Sequence, residues 1–157
     1  HLKEMFHDEN LDYTTIRNYR KEIMEECLQK NGIELKKGAV ELLEFLKTKN
    51  VKRAIATATD EERARKYLKQ IGLDKIICAT MVEYGKPSPD IYEYACRQLK
   101  LLPEECMAVE DSPNGVLSAY RAGCKVVMVP DQTEPEEALK EILYGCVENL
   151  LEIRKYF

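Results

Sequence analysis

Three short segments of this chain carry residue types that together could handle a phosphoryl group and a divalent cation. The first is Ile55-Ala56-Thr57-Ala58-Thr59, an apolar run ending in hydroxyls. Thr59 and Glu62 have capping-box spacing, which predicts a helix N-terminus immediately behind Thr57. A hydroxyl beside free backbone N–H groups at a helix start can seat phosphate, although the same pattern also serves as a plain helix cap. The second is Gly85-Lys86-Pro87-Ser88-Pro89-Asp90. Here Ser88 is expected to cap a helix that begins at Pro89 with Asp90 in its first turn. Two prolines stiffen the loop carrying Lys86, so a point charge for phosphate could be held at small entropic cost; a solvated surface lysine is the other reading. The third is Val109-Glu110-Asp111-Ser112-Pro113-Asn114-Gly115, with adjacent acids at the end of an apolar run. Acids at a half-buried strand end cost free energy unless donors or a cation compensate them. Oxygen ligands of this kind suit Mg²⁺, and solvated turn acids are the alternative.

The elements needed to position these segments follow from apolar periodicity. Tyr13, Ile16, Tyr19, Ile23 and Cys27 predict an amphipathic helix over 13–30, stopped by Asn31-Gly32. Ala39, Leu42, Leu43 and Leu46 predict a second helix, and Arg53–Thr57 a buried strand. A helix with Ala64, Tyr67, Leu68 and Ile71 on one face stops at Gly72, and a short apolar run spans Ile76–Ala79. A helix carrying Ile91, Tyr94, Ala95 and Leu99 precedes a strand over Cys106–Val109. Val116–Ala122 is read as a helix closed by Gly123, Val126–Val129 as a strand, and 135–144 as a last helix. Uniformly apolar strands alternating with helices predict an α/β fold, a parallel sheet covered on both faces. In such sheets ligands bind beyond the carboxyl ends of the strands, where all three polar segments fall.

Bulk properties exclude several function classes. The chain has 157 residues, 45% of them hydrophobic, and a formal net charge of −4. That balance offers no basic surface for nucleic acid or an anionic membrane. No run is long and apolar enough to span a bilayer, and no signal peptide opens the sequence. Six cysteines, none in a CxxC pair, are expected to be reduced thiols of a cytoplasmic protein.

The wording and order of these segments resemble the haloacid dehalogenase-like hydrolase superfamily, in particular its β-phosphoglucomutase-like phosphatases. "AIATAT" is similar to the second motif, "GKPSPDIY" to the third and "VEDSPNGVLSAYRAG" to the fourth. The resemblance implies a Rossmann-like parallel sheet with helices on both faces, plus the remnant of a small helical cap. Residues 1–34 would be the C-terminal part of that cap and 35–157 the catalytic core. Thr57 and the N–H of Ala58 would hold the transferring phosphoryl oxygens, and Lys86 would neutralise charge on nucleophile and phosphoryl group. Asp111 would ligate Mg²⁺ directly, with Glu110 ligating it or orienting its water. The implied activity is a Mg²⁺-dependent phosphohydrolase or phosphomutase on a small phosphorylated metabolite, expected to be a sugar phosphate. A non-catalytic phosphate- or metal-binding domain is the alternative, because the family's first motif, a DxD sequence on the first strand, is not found in the chain.

That strand supplies the nucleophilic aspartate and lies in the middle of the family's sheet. The sheet is therefore expected to be split, with an upstream segment needed to complete it. Residues 1–157 expressed alone are expected to be insoluble or partly unfolded, and adding that segment should restore a cooperative unfolding transition. Denaturation followed by circular dichroism, with gel filtration, tests this. A monomer with one sharp transition would show that the sheet closes without the DxD strand.

Overall fold

The computed structural model describes residues 12–68 and 71–157, so the first eleven residues of the expected cap remnant lie outside the described part. The chain divides into two compact units, His1–Glu34 and Leu35–Phe157. In the first, helix α1 spans Tyr13–Asn31. Asp12 caps it by accepting hydrogen bonds from the N–H groups of Thr14 (3.0 Å) and Thr15 (3.2 Å). Gly32, at φ +72°, ends it as expected. No residue of α1 is buried; Ile16, Tyr19, Ile23 and Met24 of its apolar stripe are all exposed.

The second unit runs α2 (Ala39–Thr48), β1 (Ala54–Thr57), α3 (Glu61–Leu68), β2 (Lys75–Cys78), α4 (Asp90–Leu99), β3 (Met107–Glu110), α5 (Pro113–Arg121), β4 (Lys125–Met128), α6 (Glu137–Lys140) and β5 (Gly145–Cys146). A 3-10 helix over Leu150–Tyr156 completes it. Every strand pairing is parallel. β1 lies beside β2 with Ala54 opposite Lys75 and Thr57 opposite Cys78. β3 pairs with β4, Glu110 opposite Met128, and β4 with β5. The strands form two sheets, β1-β2 and β3-β4-β5. Among the described residues, β1 and β3 each have one unpaired edge.

Side chains of β4 alternate between two cores, as the pleat requires. Val126 and Met128 join Ile91, Tyr92, Ala95 and Cys96 of α4 and Val116 and Ala119 of α5. Val127 and Val129 face the other way, onto Leu42 of α2 and onto Val147 and Ile153. The three-stranded sheet is thus covered on both faces, and the fold is the α/β class read from the alternating elements. All six cysteines are free thiols, and Cys78, Cys96 and Cys124 are buried.

Several local expectations need correction. The strand over Arg53–Thr57 is one residue shorter, and all four residues of β1 are only half-buried, not buried as the apolar run suggested. The strand read over Cys106–Val109 is Met107–Glu110, so Glu110 belongs to the ladder rather than to the turn after it. The buried stripe of α4 is Ile91, Tyr92, Ala95 and Cys96; of the expected face, Ile91 and Ala95 are buried, Tyr94 is partly buried against the core and Leu99 is half-buried. The last helix is a single turn in place of ten residues. It stops because the N–H of Tyr144 bonds to the carbonyl of Val126 (2.8 Å), drawing the chain alongside β4 to form β5. Two-residue β5 carries too little periodicity to be found from sequence.

Helix α4 packs on β1 and β2 and also on α5, so it spans both sheets. Ile91, 1% exposed, is central to that contact. Ile91→Ala should therefore cost about 2–5 kcal/mol of stability, the range for truncating a buried isoleucine. Urea denaturation at equilibrium measures it, and a loss below 1 kcal/mol, as a rough bound for a site that collapses around the void, would contradict this role for α4.

Candidate active site

The second segment, Gly85–Asp90, forms a tight, pinned loop. Asp90, first residue of α4, accepts from the Ser88 hydroxyl (2.5 Å) and from the N–H of Tyr84 (3.2 Å). The Ser88 hydroxyl bond holds the Asp90 carboxyl below the usual carboxylate range. Ser88 is therefore not the helix cap that the spacing suggested, because its side chain turns forward to Asp90. Pro89 occupies the cap position without a side-chain bond. From across the fold, α5 fastens the same loop. The Ser118 hydroxyl donates to the Ser88 carbonyl (2.5 Å) and Arg121 Nη1 to the Pro87 carbonyl (2.9 Å). The Lys86-Pro87 peptide is cis.

So held, the Lys86 side chain reaches both sheets. Its ammonium donates to the carbonyl of Ala56 (3.2 Å), next to Thr57 at the end of β1. It also pairs with Glu110 Oε1 at the end of β3. The pair is largely withdrawn from water, with side chains 18% and 6% exposed. The same Oε1 accepts from the hydroxyl of Tyr92, whose ring lies 5.1 Å from the Lys86 ammonium. Burial first, and the Glu110 charge second, push the Tyr92 phenol well above its ordinary pKa, so it stays a donor. The other face of the Glu110 carboxylate lies against Gly115 in the first turn of α5, where an added Cβ would collide with Oε2 and Cδ. Glycine is required there for space, not for its φ angle.

The Thr57 hydroxyl accepts from the N–H of Thr59 (3.1 Å), making a local turn after β1. The cap of α3 is Asp60, not Thr59: Asp60 Oδ1 accepts from the N–H of Arg63 (3.0 Å). A carboxylate one residue nearer the helix displaces the expected Thr59–Glu62 capping box. The helix start behind Thr57 is nevertheless present, and Thr57 directly follows Ala56, whose carbonyl accepts from the Lys86 ammonium.

Asp111 behaves unlike its neighbour. Its side chain is 52% exposed and lies 3.6 Å from the Lys86-independent ammonium of Lys36, which also sits 3.2 Å from Asp131 just beyond β4. Mg²⁺ keeps several waters and takes one or two carboxylates plus a phosphate, so a half-exposed carboxylate at a strand end fits it. Glu110, with Oε1 engaged by two donors and Oε2 against Gly115, fits an orienting role better than direct ligation. Among the described residues, no three His, Cys, Asp or Glu side chains converge as a metal cluster.

Tyr92, Gly115, Ser118, Arg121, Lys36 and Asp131 all touch this region and were not read from sequence as site residues. Tyr92, Gly115, Ser118 and Arg121 stood within the quoted motif segments without being singled out, whereas Lys36 and Asp131 lay outside them. Gly115→Ala should displace the Glu110 carboxylate and cost about 1–3 kcal/mol, the usual penalty for overpacking. An unchanged urea midpoint would mean that Glu110 has room to move aside.

The sequence model of one family, described as haloacid dehalogenase-like hydrolase, matches residues 3–123. The chain is similar to hexitol phosphatase A of Escherichia coli, 39% identical over 107 residues that make up 66% of this chain and 50% of that protein. It is similar also to the phosphorylated carbohydrates phosphatase of Thermotoga maritima, 35% identical over 115 residues, 69% of this chain and 53% of that one. The chain thus spans about half the length of the curated relatives it matches. Among solved structures it resembles CbbY of Rhodobacter sphaeroides in complex with phosphate (TM-score 0.74, 27% identity, covering 92% of this chain and 67% of that one). Parallel strands, the lysine-bridged strand ends and a family match over most of its residues agree: the chain belongs to the haloacid dehalogenase-like hydrolases.

Proposed function

We propose that this chain belongs to a Mg²⁺-dependent phosphatase or phosphomutase acting on a small phosphorylated metabolite, a sugar phosphate in the first instance. The observation that carries the reading is Lys86, whose part-buried ammonium joins the carboxyl ends of β1 and β3 where a phosphoryl group would lie. The named activities of the two phosphatase relatives, on hexitol and carbohydrate phosphates, support the substrate class.

In this reading Thr57 and the N–H of Ala58 bind two phosphoryl oxygens, and the helix start of α3 adds its dipole. Lys86 balances the charge that builds on the transferring group, in a site where neighbouring groups are already oriented. Asp111 would hold Mg²⁺, and Glu110 would orient a water of its shell. When bound, the ion supplies charge neutralisation and a template for the phosphate oxygens. Family membership implies an aspartate nucleophile on a DxD strand, forming an aspartyl-phosphate that water then hydrolyses. The unpaired edges of β1 and β3 support a place for such a strand between them, contributed by an upstream segment. Residues 1–34 would then be the end of a helical cap and 35–157 the core. Free thiols in the core support a cytoplasmic setting. Among the described residues no helix is long and apolar enough to cross a membrane.

The test is phosphate release from a panel of sugar phosphates by the full-length gene product, with and without Mg²⁺. Asp111→Ala should abolish turnover, whereas Glu110→Ala should weaken it. Full activity of Asp111→Ala at saturating substrate would refute the metal assignment. Binding of phosphate with no release from any substrate would favour a non-catalytic phosphate-binding domain.

A further inference from the structure

The Lys86–Glu110 pair contains a third member, the hydroxyl of Tyr92. Both Lys86 and Tyr92 donate to the same oxygen, Glu110 Oε1. The other oxygen, Oε2, lies against Gly115, where the absence of a Cβ leaves it room, so both donors meet at Oε1. Two donors on one carboxylate oxygen use its two lone pairs, and each bond weakens the other's claim on the charge.

Lys86 has three N–H donors. One goes to the Ala56 carbonyl and one to Glu110, which leaves one for the sheet end beside Thr57. The Tyr92 ring, 5.1 Å from the ammonium, bounds its position from a further side. Tyr92 is itself 8% exposed and sits on α4 one residue after Ile91, so its ring is fixed by the core.

We propose that Tyr92 is a positioning residue: by taking a share of Glu110 Oε1 it limits how tightly that carboxylate holds Lys86, and so keeps the ammonium available to a phosphoryl group. The proposal rests on the phosphoryl-transfer reading of the site. Tyr92 does not touch substrate; it acts through Glu110 and Lys86. Phenylalanine at this position would retain ring packing and the ring's contact with the ammonium, and would remove only the competing donor. Glu110 would then draw Lys86 in.

The decisive variant is Tyr92→Phe, examined in two ways. In the full-length protein, kcat toward a substrate that the wild type turns over should fall about tenfold with KM changed less than about twofold, as for an interaction realised mainly in the transition state. The ammonium signal of Lys86, observed by ¹H–¹⁵N NMR and assigned by its loss in Lys86→Arg, should shift and exchange with solvent several-fold more slowly. An unchanged kcat, or a Lys86 signal that stays in place or exchanges faster, would overturn the proposal. Failure of the wild type to release phosphate from any substrate would count against the phosphoryl-transfer reading instead. The NMR comparison would still decide whether Tyr92 governs Lys86.

Discussion

The buried ion pair between Lys86 and Glu110 is the constraint around which this core is arranged. Withdrawing two charges from water is costly, and the cost is recovered only when the pair is closely matched and its remaining donors and acceptors are satisfied. Most of the local structure can be understood as meeting that condition. Ala56 supplies a carbonyl to the ammonium, Tyr92 a hydroxyl to the carboxylate, and Gly115 the space in which the carboxylate lies. Ser118, Arg121 and Asp90 hold the backbone that delivers Lys86. Removal of either charge would strand its partner, a loss of about 3–5 kcal/mol in comparable buried pairs.

The pair also explains how two sheets act as one scaffold. β1 and β3 are not hydrogen-bonded to each other, yet their carboxyl ends are joined through a single side chain from the loop before α4. Helix α4 reinforces that link by packing on β1, β2 and α5 together. The cost is visible on the strands. β1 has no fully buried residue, and Val109 in the middle of β3 is 37% exposed. A parallel strand that reads as continuously apolar is normally covered on both faces and paired on both edges.

Glu110 and Asp111 show how one residue of register separates two kinds of work. Successive side chains on a strand point to opposite sides. Glu110, the last residue of β3, faces the core and is tied by Lys86 and Tyr92; Asp111 projects to solvent near Lys36. The buried acid is tied in place, whereas the exposed acid meets only the half-exposed ammonium of Lys36. Thr57 makes a similar division at β1, where its oxygen secures the turn through Thr59 N–H.

The elements and the chemistry were legible in the sequence because both are local. Periodicity located the helices and apolar strands, glycines marked the ends of α1 and α5 at Gly32 and Gly123, and the order of hydroxyl, lysine and acid pair pointed to phosphate. Local competition between caps was not legible: Asp60 displaced Thr59 and Ser88 turned to Asp90 because hydrogen-bond geometry, not residue preference, decides which side chain reaches an N–H. Nor could sequence distinguish Tyr92 from the other apolar residues of α4, or Ser118 from any small helical residue. Each acts on a partner far away in the chain, 18 residues for Tyr92 and Glu110 and 30 for Ser118 and Ser88. Residue type and spacing determined which groups arrive at the carboxyl end of the strands. Only the packing of α4 and α5 decided which of them are buried together, because sharing of one carboxylate oxygen depends on distances that no linear pattern contains.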